Sequence, residues 1–336
     1  MQAIEFRTDG MAVVRDVPRP EAGRDEAVIR VTSAGVCGSD MSALHGTHPF
    51  RHPPLISGHE VGGIVAEIGP GDSRGFSVGT PVVVDPQRPC RTCDLCRAGD
   101  YHLCTKKTML GVPEWPGGLA DFVKVPTFTL VAAPDGMRAS RLSFAEPMAV
   151  AVHASRRAGS LDTVRRAVVL GGGTIGTLIT AALSAQRPDV EITVVEPRLH
   201  LHEVLKLAGA RQCVADAADL PSNSYDLVFL AAGVSALVPA CVRVAATRGT
   251  IVQVAVFGAP EPVAIGELQI REITLTGTAT YTKQDIASAL DIIESNDPLV
   301  QRMVTYTDDW QDTASRITAM AADGPGEVMK LIMAPR

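Results

Sequence analysis

Aromatic side chains are scarce in this 336-residue chain: two Trp, four Tyr and eight Phe amount to 4% of it. Small and aliphatic residues must fill the core instead, which suits helices packed closely on a parallel sheet. Excess charge is also missing. The formal net charge is −6 and the basic residues are dispersed, which excludes a nucleic-acid footprint and a polybasic membrane patch. Glu5, Arg7 and Asp9 leave no apolar core for a signal peptide near the start. The one long uncharged run, Ala167–Ala185, contains four glycines and three threonines, and reads as strand, tight turn and buried helix rather than as a bilayer span. The composition, 46% hydrophobic and 20% charged, excludes a disordered chain. A soluble, cytoplasmic protein without membrane or nucleic-acid partners is expected, with about two or three domains at this length.

What the chain does have is an unusual set of seven cysteines. Cys90, Cys93, Cys96 and Cys104 cluster, whereas Cys37, Cys213 and Cys241 are scattered. An odd count with one tight cluster, in a large chain without export signals, points to metal ligation rather than disulfides. Two-residue gaps let three thiolates converge on one ion and the longer loop brings the fourth. Four cysteines leave no open position, so the site is structural. A zinc module for nucleic acids is the alternative, and the acidic balance argues against it.

The texture of the chain changes near Ser143. Before it, Ala27–Ser33, Val61–Ile68, Val82–Val84 and Ala120–Val125 are short strand candidates between Gly- and Pro-rich turns. After it, apolar strands at Ala167–Leu170, Glu191–Val195, Leu227–Ala231 and Thr250–Ala255 alternate with helical patterns at Gly176–Gln186, Leu201–Leu207 and Val234–Ala246. That alternation implies βαβ units and a parallel sheet. The end of the chain returns to a β-like segment (Ile273–Thr280), a helix (Lys283–Ser295) and a last strand (Glu327–Met333). The expected fold class is α/β, with a Rossmann domain at 148–275 inserted in a mainly-β domain formed by 1–147 and 276–336, whose metal lobe spans 86–106.

Gly171, Gly173 and Gly176 form a Gly-x-Gly-x-x-Gly motif between the strand Ala167–Leu170 and the next helix, with Thr174 and Ile175 inside it. This is the context in which the motif binds a dinucleotide pyrophosphate at a helix N-terminus. Glu196 follows the second strand, 20 residues past Gly176, where an acid accepts bonds from ribose hydroxyls and repels a 2′-phosphate. NAD is therefore expected over NADP. Arg198 could instead pair with a phosphate, and the plain alternative for Glu196 is a surface acid.

A second metal site draws on separate pieces: Cys37 in Cys37-Gly-Ser-Asp40, His59 and Glu60 in Gly58-His-Glu60, and Glu146 in Ala145-Glu-Pro147. Each alone is ordinarily structural. Together they are zinc-ligand types set in turns, and three protein ligands plus an exchangeable water make a catalytic site.

In this order and spacing, Cys-Gly-Ser-Asp, Gly-His-Glu, the four-cysteine lobe, Ala-Glu-Pro and Gly171–Gly176 resemble the zinc-dependent medium-chain (alcohol) dehydrogenases, particularly the sorbitol and threonine dehydrogenase branch. The resemblance covers essentially the whole chain. It implies a GroES-like catalytic domain around the Rossmann domain, two zinc ions per chain and a homodimer or homotetramer. It makes Cys37 and His59 catalytic zinc ligands, and Glu60 and Glu146 acids that ligate the zinc or exchange there with water. Ser39 would hand the substrate proton outward while hydride passes to nicotinamide. Where many relatives carry a relay histidine, five positions after Cys37, this chain has Ser42, with His45 nearby; an arginine common in relatives is replaced by Leu201. Ser42, His48, Phe50, Trp115, Thr280 and Tyr281 are candidates for substrate specificity.

The leading expectation is oxidation of a secondary alcohol on a polyol, sugar, cyclitol or hydroxy-amino acid. An NADPH-dependent carbonyl or enone reductase of a biosynthetic pathway, and a non-catalytic dinucleotide sensor, are the alternatives.

Overall fold

The computed structural model describes residues 1–334. The chain divides into two units, the first comprising Met1–Glu146, Thr282–Glu294 and the stretch from Met303 to the C-terminal end, the second Pro147–Tyr281 and Ser295–Arg302.

The first unit is built around one long strand, Glu26–Val36, almost continuously buried. It pairs antiparallel with Glu60–Ile68 on one side, and on the other with Phe122–Pro126 at its beginning and Lys330–Met333 at its end. The sheet continues through Pro81–Val84 to Leu130–Ala132 in one direction and to Val304–Thr307 in the other. A smaller sheet orders Ala12–Asp16, Gln2–Phe6 and Leu55–Ile56. Aliphatic side chains such as Ile29, Val61, Val82 and Leu119 fill the core, joined by Trp310, Ala314 and Ile317 from the helix Trp310–Asp323.

The second unit contains a six-stranded parallel sheet. Its order is Gln212–Val214, Glu191–Val195, Arg166–Leu170, Tyr225–Leu230, Ala245–Gln253 and Thr274–Gly277. Val168 pairs with Thr193 on one side and Val228 on the other. The central strands are buried on both faces, which is why they read as unbroken apolar runs. The strand order reverses direction at Arg166–Leu170, and ligands of such sheets bind beyond the carboxyl ends at that point.

Three expectations change. The helix after the glycine turn begins at Thr174, two residues before the expected Gly176. Residues 276–281, read as the start of the returning segment, stay with the parallel sheet's unit, because Thr274–Gly277 pairs with Thr250–Gln253 as the edge strand. Between Ser295 and the last strand, the sequence pattern gave no elements, yet the chain forms the helices Asp297–Met303 and Trp310–Asp323 and the strand Val304–Thr307.

Candidate active site

The cysteine lobe is a short hairpin base, Gln87–Arg88 against Thr108–Met109, carrying a loop of tight turns. Cys93 precedes the helix Asp94–Ala98, so that one turn later Cys96 lies on the same side. Gly99 ends that helix at φ 92°, and the turn Tyr101–Leu103 delivers Cys104. The sulfurs lie 3.4 Å apart for Cys93 and Cys96, and 3.9 Å for both Cys90–Cys96 and Cys93–Cys104. Four thiolates held about 2.3 Å from a zinc ion in a tetrahedron are about 3.8 Å apart, so the lobe fits that ion as it stands. Donors from Thr92 lower the Cys90 thiol to about 5, whereas desolvation and Cys93 push Cys96 up to about 12. Neighbouring thiolates resist ionising together, and a divalent cation relieves that resistance.

The second cluster is a product of strand register. Gly35 stands opposite Glu60, which brings Cys37, just past the end of one strand, beside His59, just before the next. The donor atoms of Cys37, His59 and Glu60 lie within 4.8 Å of one another. Glu146, buried in the first turn of the helix Ala145–Arg157, is outside that trio. Glu60 Oε2 is buried without a hydrogen-bond partner among the described residues, while His59 Nδ1 has only the Asp40 carboxylate near it, at 3.6 Å. Such atoms are costly unless a cation or water meets them, and a mixed thiolate, imidazole and carboxylate set is the donor chemistry zinc takes.

Asp40 organises this cluster from behind. Fully buried, it accepts hydrogen bonds from the Cys37 N–H at 2.8 Å, Ser57 Oγ at 2.7 Å and Arg51 at 3.3 Å, and it faces His59 Nδ1 at 3.6 Å. Burial alone would raise its carboxyl, but His59, Arg51 and Ser57 together hold it well below the ordinary range. Burial and Arg51 push the His59 imidazole down, yet Asp40 overrides them and holds it at about 10. Asp40 faces the Nδ1 side of the ring, which leaves Nε2 as the ring nitrogen turned away from that carboxylate. The Cys-Gly-Ser-Asp segment alone gives Asp40 no role, because its partners Arg51 and Ser57 lie 11 and 17 residues further along the chain.

Lys330, like Arg51 and Ser57, is not singled out by the sequence. Its Nζ donates to Glu60 Oε1 and, at 3.0 Å, to the Val36 carbonyl. Lys330 and Glu60 are both buried. The pairing of Leu331 with Val36 is what places Lys330 at this sheet end. The available signal was a lysine opening an otherwise apolar final strand, Lys330–Met333. Gly35 completes the arrangement, since a Cβ there would stand 1.9 Å from Glu60 Oε2.

The remaining residues separate by their partners. Ser39 Oγ accepts a hydrogen bond from Arg51 at 3.3 Å. His45 Nε2 is engaged with the Ala321 carbonyl at 3.0 Å. His48 and Phe50 form an edge-to-face pair, with Phe50 half exposed. Trp115 is a packing residue: it is buried in the first unit's core, donates to the Lys124 carbonyl and carries Arg88 over its ring. Tyr281 is also buried.

In the second unit, the glycine turn follows Arg166–Leu170 at the reversal of strand order. Gly171 adopts φ +108°, which side-chain-bearing residues resist. A Cβ on Gly176 would stand 1.8 Å from the Gly171 carbonyl oxygen, so helix and strand can meet only with glycine there. Gly173 caps the helix Thr174–Gln186, whose first turn holds Thr174, Ile175 and Gly176. Glu196 lies against this turn and accepts a hydrogen bond from the Gly172 N–H at 3.1 Å. Arg198 closes on the same carboxylate, with Nε at 2.7 Å from Oε1.

Residues 23–135 match the alcohol dehydrogenase GroES-like domain, and residues 174–295 match the zinc-binding dehydrogenase family. A 2-dehydro-3-deoxy-L-galactonate 5-dehydrogenase from Pseudoalteromonas atlantica is 31% identical over 94% of this chain and 92% of its own. The chain belongs to the zinc-dependent medium-chain dehydrogenases, in their polyol branch. A second member, D-altritol 5-dehydrogenase from Agrobacterium fabrum, is 30% identical over 91% of this chain and 92% of its own. A zinc-binding dehydrogenase structure from Sinorhizobium meliloti, bound to NADP, superposes with a TM-score of 0.88 at 26% identity, covering 99% of each chain. Medium-chain dehydrogenases of this kind use zinc and a nicotinamide dinucleotide, and they are oxidoreductases acting on alcohol groups. Among the described residues, no helix is long and apolar enough to cross a membrane.

Proposed function

We propose that this dehydrogenase oxidises a secondary alcohol of a polyol, sugar, cyclitol or hydroxy-amino acid, with zinc and NAD. The convergence of Cys37, His59 and Glu60 donors within 4.8 Å carries the reading. The relatives named for a galactonate derivative and for altritol favour the sugar-acid and polyol end of that range.

Cys37, His59 and Glu60 would hold a catalytic zinc, with Glu146 as the further acid, and Cys90, Cys93, Cys96 and Cys104 a structural one. Zinc bound there would supply the Lewis acidity that lowers a substrate hydroxyl's pKa, and a bound dinucleotide would supply the hydride acceptor. Asp40 keeps the His59 ring oriented, and Lys330 keeps Glu60 in place. Ser39 would take the substrate proton as it passes its own outward to solvent water. The Arg51 guanidinium, 3.3 Å from that hydroxyl, stabilises the oxygen while the proton moves on. Gly171, Gly173, Thr174, Ile175 and Gly176 would cradle the pyrophosphate, with Glu196 and Arg198 at the adenosine ribose.

The direct test is a zinc count together with NADH formation over a panel of polyols, sugar acids and amino alcohols. Two zinc ions per chain are expected, falling to one in Cys37→Ala with turnover reduced at least about a thousandfold. Full activity in that variant at one zinc per chain would sink the assignment.

A homodimer or homotetramer is the assembly we propose. Thr274–Gly277 is an edge strand, and Leu275, Ile270 and Val256 nearby are exposed apolar residues. Sedimentation should give a multiple of 35.4 kDa that Leu275→Asp reduces; a monomeric native protein removes the proposal. A cytoplasmic location accords with the free cysteines of the lobe, and fractionation of the source cells checks it.

A further inference from the structure

An ionised carboxylate has about four lone-pair sites. In Glu196 they are all taken by N–H donors from its own neighbourhood. Oε1 accepts from the Arg198 N–H at 3.0 Å and Arg198 Nε at 2.7 Å, and Oε2 from the Gly172 N–H at 3.1 Å and Arg198 Nη2 at 3.0 Å. The side chain is 4% exposed. It is packed down on the turn, since a Cβ on Gly172 would stand 2.8 Å from Glu196 Cβ. An acid that selects NAD does so by accepting bonds from ribose hydroxyls and by repelling a 2′-phosphate. This one has no acceptor site to spare, and its charge is cancelled by a bidentate partner, the strong form of such a pair.

What the turn presents outward is the guanidinium. The Arg198 side chain is 44% exposed, and Nη1 takes no part in the contacts to Glu196. Arg198 Nη2 is also the one atom that a Cβ on Gly173 would meet within 4 Å, at 3.7 Å. Arg198 thus lies across the residue whose backbone a dinucleotide must approach, with a planar set of donors already oriented by Glu196.

We propose that Arg198, rather than Glu196, reads the 2′ position of the adenosine ribose, so that a 2′-phosphorylated dinucleotide is accepted alongside NAD. This rests on the dinucleotide reading of the glycine turn, and deepens it. A phosphate arriving at the 2′ carbon meets the exposed edge of the guanidinium and no net negative charge behind it. A ribose hydroxyl at the same place meets a donor, which its oxygen can accept.

Calorimetric titration of the intact protein with ADP and with 2′,5′-ADP tests this without turnover, because neither carries nicotinamide. The expected result is that 2′,5′-ADP binds at least as tightly as ADP. Arg198→Ala should weaken 2′,5′-ADP about tenfold or more while leaving ADP unchanged or tighter, and Arg198→Lys should fall between. A native preference for ADP of about a hundredfold, as an unshielded acid imposes, would overturn the proposal. So would an Arg198→Ala variant that loses both ligands equally, which is the signature of a pyrophosphate contact. Binding of ADP without 2′,5′-ADP rejects the role of Arg198 alone; binding of neither rejects the dinucleotide site as well.

Discussion

Glu60 with Lys330 and Glu196 with Arg198 are both pairs of a buried acid and a basic neighbour, built in opposite ways. Lys330 comes from 270 residues along the chain and both side chains are almost sealed, at 3% and 1% exposure. Arg198 comes from two residues along, and its side chain is 44% exposed over a carboxylate that is 4% exposed. The first pair is closed on both sides and is fixed by the sheet. The second faces solvent on its arginine side alone. A pair sealed on both sides fixes its acid in place, whereas a pair with one open side presents the outer edge of its base to solvent.

The largest break in this comparison should come from Lys330→Met. It leaves a buried carboxylate uncompensated, which ordinarily costs about 3–5 kcal/mol. The denaturation midpoint of the zinc-free protein should fall accordingly, and Glu60→Gln added to Lys330→Met should restore most of it. A single variant as stable as the native chain would show that Glu60 does not depend on Lys330. Next in size is Gly35→Ala, where the new methyl overlaps the Glu60 carboxylate that Lys330 keeps from moving aside. Overpacking of this kind costs about 1–3 kcal/mol, and zinc retention against a chelator should drop with it. Unchanged melting and unchanged retention would contradict the crowding of Glu60 against Gly35.

Arg198→Ala should have the smallest effect on stability, under about 1 kcal/mol, since one partner is exposed to solvent. Its pH dependence sharpens the contrast. Burial raises the Glu196 carboxyl, but the bonds and charge of Arg198 outweigh it and hold the group below its ordinary 4.5. The pair's contribution is therefore complete above that value and fades as pH falls through the lowered one. The native and Arg198→Ala proteins should differ in acid denaturation midpoint and converge at the lowest pH. A gap that widens with acid would reverse the sign and rule out this account.

Much of the site was legible because its parts are local. The cysteine lobe is a spacing pattern, and a one-turn helix turns spacing directly into proximity. The glycine turn carries its meaning in Gly171 and Gly176, where φ and close approach admit little else. The six-stranded sheet followed from alternating apolar runs, although the expected helix start moved from Gly176 to Thr174 because the turn's own backbone begins the helix. The helices and strand between Asp297 and Asp323 were not legible. Their apolar faces, Leu299, Val300, Ala314 and Ile317 among them, are short and interrupted by polar residues. Such segments gain their stability from the surfaces they cover rather than from intrinsic preference.

The sequence by itself determined that a four-cysteine cluster was present, and that a Gly-x-Gly-x-x-Gly turn stood between strand and helix, because both depend on separations of a few residues. Only the tertiary structure decided the charge around them. Register between Gly35 and Glu60, and between Val36 and Leu331, brought Lys330 to Glu60. Even Arg198, two residues from Glu196, could be assigned to it only by geometry, since either a carboxylate or a phosphate would satisfy a guanidinium. Electrostatic partnership depends on distance and burial in three dimensions, and neither is encoded in the spacing of the residues that form it.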